Sequence, residues 1–336
     1  MATTTTSKKK STKKTTTKAR SKKPAAKKRA NSAAVSKKTS TSKKSSPKAK
    51  KIKSATKTST ASTSSKVTAQ PTAKTSGVKD KFKKLNVWNY VLALLHAAQG
   101  VAIIVLSKSD SLFPVNTTFM TEDTLASSEG APVLVQAQRS LFDVNLAYIV
   151  AAFFFMSAIA HIIVATVYRK RYEANLNRGI NRVRWYEYAV SASTMMVGIA
   201  LLSGVSDLST LVMIFGATAV MNLCGLVMEV HNQTTAKTNW LSYIVGSFAG
   251  LGSWVVIGIY LFGTNQYGSG SIPTFVYAIY ASIFLFFMSF AVNMYLQYKG
   301  KGKWSDYLFG EKAYMVLSLV AKSALAWQIF VGTLRP

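Results

Sequence analysis

The chain has 336 residues, 49% of them hydrophobic, yet its formal net charge is +30. Uniform mixing of those two properties would give neither a packed core nor a soluble coil, so two regimes are joined end to end. A single cysteine, Cys224, excludes an intramolecular disulfide and a cysteine-ligated metal centre.

Residues 1–84 hold 27 of the 42 Lys and Arg and one acid, Asp80. They are Lys-, Ser-, Thr- and Ala-rich, with few large apolar residues before Phe82. Too little surface can be buried there to offset the ordering entropy, so a disordered cytoplasmic tail is expected. The stretch has no apolar segment of a secretory signal. Its charge suits anionic lipid headgroups or nucleic acid, and also a solvated tail with no dedicated partner.

After Lys84 the net charge falls to +4 and seven apolar stretches of bilayer length follow. They are 87–106, 144–168, 185–205, 208–230, 240–262, 272–298 and 313–334. A backbone in lipid must satisfy its own hydrogen bonds, so these are read as helices. The fold expected is an all-α membrane protein, a bundle of seven transmembrane helices. With the N-terminus inside, the inner loops hold eleven Lys and Arg and the outer segments three. The positive-inside rule therefore places the N-terminus in the cytoplasm and the C-terminus outside. The outer loop 107–143 is long for a bare connection, and Phe113–Phe119 and Pro132–Gln136 are expected to pair as short strands. Asn116-Thr117-Thr118 is a glycosylation sequon on that side, and Asn232-Gln233-Thr234 is another on the inner side.

Ionisable groups inside spans are costly and mark function. Lys322 lies nine residues past Ala313, about 14 Å from the inner end at 1.5 Å per residue. Ser318 is one turn before it, and His96 reaches a similar depth with Gln99 on its face. Ser157 is near that level on the second span, and His161 is one turn towards the cytoplasm. Glu187 has two readings. It is deep and level with Lys322 if the third span starts near Asn177, carrying Arg182 and Arg184 inward. Otherwise it is interfacial, paired with Arg184 three residues earlier. No other acid is level with Lys322; Glu229 and Glu311 sit at inner helix ends. Lysine condenses with carbonyls, and a mid-span lysine on the last of seven helices is the plan of a retinal pigment rather than of a structural ion pair.

The stretches "RWYEYAVSASTMM" (184–196), "SDLSTLVMIFGATAVMNLCGLVME" (206–229) and "LSLVAKSALAWQIFVGTLRP" (317–336), with "HAAQ" (96–99) and "SAIAH" (157–161), resemble the heliorhodopsins. The likeness covers about residues 85–336. It implies a rhodopsin-like bundle of inverted topology, with spans near 87–106, 144–168, 177–205, 208–230, 240–262, 272–298 and 313–334. It implies all-trans retinal on Lys322 as a protonated Schiff base, with Glu187 as counterion, which selects the deep reading. Ser157 and Ser318 would hydrogen-bond near the Schiff base. His96, His161 and Gln99 would belong to a proton-accepting polar cavity. Tyr188, Met221, Gly225 and Trp327 would touch the chromophore. No metal is implied, and a homodimer is. The family lacks a basic tail like this one.

The resemblance implies a sensory photoreceptor, read by a cytoplasmic signalling partner, and the lack of an acid between the lysine level and the outer surface argues against a pump. A light-activated proton conductor or transporter is the alternative. No nucleophile triad, metal cluster or phosphate loop suggests an enzyme.

Overall fold

The computed structural model describes residues 72–127, 131–268 and 271–336. The chain separates into a unit Met1–Val67 and a unit Thr68–Pro336, and every described residue lies in the second. In chain order the elements are α1 (Thr72–Leu106), β1 (Leu112–Glu122), β2 (Leu134–Asn145), α2 (Leu146–Ala165), α3 (Arg169–Asn177), α4 (Arg182–Leu202), α5 (Leu208–His231), α6 (Leu241–Tyr267), α7 (Thr274–Lys299) and α8 (Tyr307–Ile329). A π-helical turn, Phe330–Leu334, ends α8. Six of the eight α-helices (α1, α2 and α5–α8) contain a stretch long and apolar enough to cross a membrane. α4 is 21 residues long, but its first two turns hold Arg182, Arg184 and Glu187, which removes it from that apolar class.

Short polar side chains start the helices. Asn145, Asn181, Asp207 and Asp306 accept from the first-turn N–H groups of α2, α4, α5 and α8, satisfying donors that have no partner inside the helix. At Gly300 the backbone turns left-handed (φ 58°) and stops α7, a conformation cheap only for glycine.

The bundle is built from α1 against α2, α2 against α4, α4 against α5, α5 against α6, and α7 against α8. Its largest apolar cluster includes Phe153, Phe154, Met196, Ile199, Ile257, Ile279, Leu325 and Ile329. The outward faces are also apolar: Leu94, Phe248, Ile259 and Leu285 are each more than 60% exposed. Meanwhile His96, Ser157, Glu229, Glu311 and Lys322 are buried. Apolar outside with polar groups inside is the arrangement a hydrocarbon solvent requires.

Several expectations need correction. Residues 1–71 of the expected tail lie outside the described residues, but 72–84 are helical, the first turns of α1. Phe82 and Leu85 hold them, packing with Val164, Tyr172, Leu176 and Met315. The third span does not start near Asn177. A separate helix, α3, ends there, Gly179 turns at φ 70°, and Asn181 caps a new helix from Arg182. The strands are longer than expected and pair differently. Phe113–Phe119 meets Val144–Ala137, and Gln136 meets Met120. Leu141 of β2 is the extra residue, bulging opposite the step from Val115 to Asn116. The Asn116 backbone N–H donates to Ser206 O at 2.8 Å and its side-chain amide reaches Ser206 Oγ, so this sequon asparagine is engaged by its own fold.

Candidate functional site

Lys322 is 3% exposed, the one buried lysine among the described residues. Its Nζ donates to Ser318 Oγ at 3.0 Å, one turn earlier on α8. Glu187 Oε1 on α4 lies 3.4 Å from it. The same oxygen accepts from Ser157 Oγ of α2 at 2.6 Å. The Tyr188 ring stands 5.3 Å from the ammonium. Three helices thus bring Lys322, Ser318, Glu187 and Ser157 together. The deep reading of Glu187 holds although α4 begins five residues later than it seemed to need.

On one side of this pair is a cavity of about 290 Å³. Lys322, Ser318 and Ala321 of α8 line it, with Tyr188, Met195, Met221, Gly225, Trp254 and Phe287 among the other walls. Glycine at 225 is a packing necessity, because a Cβ there would stand 2.4 Å from the Trp185 ring. Trp327 does not line this cavity. Its indole N–H donates to Gln99 Oε1 at 3.2 Å and its ring meets Phe330.

On the other side, towards α3, the site is polar. A second cavity of about 40 Å³ is bordered by Glu187, His161, Asn89, Tyr172, Arg184 and Glu311. Burial pushes the Tyr172 phenol up to about 12, so on α3 it is a neutral hydroxyl. His96 is fully buried and its ring stacks on His161, centroids 5.7 Å apart. Neither His96 ring nitrogen has a hydrogen-bond partner among the described residues. Gln99, grouped with the histidines from sequence, is turned instead to Trp327 and to its own helix at Leu95.

Beyond the small cavity lies a charge cluster that the sequence did not reveal. Arg184 is not the partner of Glu187. Its guanidinium is buried between the Trp185 and Tyr314 rings, and it donates to both Glu229 and Glu311. Glu229 also receives the Asn181 N–H, the Trp185 indole N–H and the Tyr307 hydroxyl, and Glu311 receives the Asn181 amide. Two carboxylates around one cation are tolerable in a buried site only with such extra donors. The available signal was an acid near the end of two different helices, which reads as interfacial unless the helices are known to converge.

A family model described as Heliorhodopsin matches residues 85–334. No curated protein matches the chain. Among solved structures, the light-driven proton pump LR (Mac) from Leptosphaeria maculans is similar at 14% identity, with a TM-score of 0.49, covering 73% of this chain and 94% of that one.

Proposed function

The chain belongs to the heliorhodopsin family of retinal-binding, light-absorbing membrane proteins, and from that premise we propose that Lys322 binds all-trans retinal and that Glu187 is its counterion. The observation that carries this reading is a buried amine in the wall of a largely apolar cavity, 3.4 Å from a carboxylate. The walls fit an apolar polyene. Tyr188, Met221 and Gly225 would flank it, and among the described residues Lys322 is the one lysine that lines it. Bound retinal supplies the absorption of visible light and a light-driven change of geometry at Nζ.

The chain's own groups do the rest. Glu187 faces the positive charge at Nζ, and the Ser157 hydroxyl shares the negative charge. Ser318 fixes Nζ from one turn below. Once the distance between Nζ and Glu187 grows, the proton is released into the polar region that holds His161 and His96, of which His161 borders the small cavity. Towards the hairpin the core is apolar, through Ile199, Ile257, Ile279 and Ile329, and among the described residues no buried acid or histidine stands there. That supports a sensor rather than a pump. We place the N-terminus in the cytoplasm and the C-terminus outside, with the protein working as a homodimer, an anionic surface met by the tail and a cytoplasmic signalling partner.

The test is reconstitution. Wild-type protein given all-trans retinal should develop a visible band, and Lys322→Ala should bind none covalently. A lysine-linked pigment surviving in Lys322→Ala would overturn the assignment. Under voltage clamp, illuminated cells should show no steady current; a sustained photocurrent would favour the conductor.

A further inference from the structure

Asn89 lies on α1 two turns before His96 and is 1% exposed. Its side-chain nitrogen donates to the Leu85 carbonyl at 3.1 Å. A carbonyl can only accept, so the amide is oriented without ambiguity, with nitrogen towards Leu85 and Oδ1 towards α2. There Oδ1 stands 2.8 Å from His161 Nδ1. An amide oxygen also only accepts, so the hydrogen in this contact belongs to Nδ1. A neutral imidazole carries one ring hydrogen, which leaves Nε2 as a bare lone pair.

We propose that Asn89 is a positioning residue that holds His161 in its Nδ1–H tautomer, making Nε2 the atom that accepts a proton after light. This rests on the reading of the polar region as the proton-accepting side. The two histidines are then unequal. A proton added to His161 produces a cation whose Nδ1–H already has an acceptor. A proton added to His96 would produce two buried N–H groups with no partner, a state worse by the cost of unmade hydrogen bonds. The stacked rings, 8° from parallel, offer each other faces rather than nitrogens, so His96 cannot take over the bond. The other charged or titratable groups around His161 and its small cavity are Glu187 and Arg184 on α4, Lys322 and Glu311 on α8 and Tyr172 on α3. Asn89 meets the new cation with a dipole and no charge, so the proton is held loosely enough to return.

The sequence has three histidines, which makes the test direct. Full-length pigment is prepared with ¹⁵N-histidine, and the His161 signal is the one lost in His161→Gln. In the dark, Nδ1 should carry the hydrogen and Nε2 should not. In Asn89→Leu the signal should shift towards the Nε2–H form. In Asn89→Asp, which keeps an acceptor at that position, the Nδ1–H form should persist and the light-induced cation should decay more slowly. A dark Nε2–H tautomer in the wild type, or an unchanged tautomer in Asn89→Leu, would overturn the proposal, and the wild-type spectrum decides even if the leucine variant does not fold. The expected dark tautomer with no doubly protonated His161 in the light would instead overturn the proton-accepting reading while upholding the role of Asn89.

Discussion

Glu187 does two jobs with one oxygen, facing Lys322 at 3.4 Å and accepting from Ser157 at 2.6 Å. With retinal on Lys322, its charge stabilises the ground state more than an excited state whose positive charge has moved away, because Coulomb energy falls with distance. Glu187→Gln pigment that keeps its positive charge should therefore absorb further to the red, as an absorption spectrum would show. An unmoved band would take Glu187 out of the counterion role. Arg184 is the opposite case, a residue whose value is structural. Removing it leaves Glu229 and Glu311 buried together without a cation, which by the usual cost of breaking a buried pair is about 3–5 kcal/mol. Arg184→Gln should melt well below the wild type in detergent, and adding Glu229→Gln and Glu311→Gln should restore much of the loss.

At the scale of elements, α4 and α5 approach so closely at Gly225 that the Trp185 ring fills the place of a side chain. The same indole donates to Glu229 at 2.7 Å. Gly225→Ala should push the ring aside, with an overpacking cost of about 1–3 kcal/mol. It should both lower the melting temperature and slow pigment formation with added retinal; retention of both would mean that the α4–α5 contact yields freely. The lysine, its serine and the long apolar helices could be read from the sequence, because depth along a helix follows from counting residues; counting alone left Glu187 open between a deep and an interfacial place. What could not be read depends on convergence of separate elements. Arg184 looks like a partner for Glu187 by spacing alone, and only the meeting of α4, α5 and α8 shows that it belongs to Glu229 and Glu311. Asn89 was two turns from His96 on the same face, yet its importance lies in α2. The hairpin was visible as a pair of strands but not its register, because neither strand has a strongly buried face to fix one.

For the whole molecule, charge and hydropathy are segregated along the chain, so function should divide the same way. A variant lacking residues 1–71 should keep the wild-type absorption spectrum. Liposome flotation with anionic vesicles should show weaker binding than the full chain, and the difference should shrink as salt rises, since exposed charges are screened over about 8 Å at physiological ionic strength. Binding that ignores salt would point to a recognition motif in place of simple attraction.

The two ends of the bundle are fastened by different means. At the hairpin end, Lys108 N–H donates to Leu334 O, Leu146 N–H to Ser111 O and Asn116 N–H to Ser206 O. Those are amide-to-carbonyl bonds, and no proton transfer can undo them. At the α3 end the fastenings are Arg184 with its two glutamates and Lys81 with Asp306. A bundle tied in this way is like tongs whose pivot is neutral and whose tips answer to charge. On the proposed function, a proton released beside His161 would perturb the end whose ties include charge. Hydrogen exchange under illumination should accelerate at amides around Arg169–Arg182 and leave those of Lys108 and Asn116 as slow as in the dark.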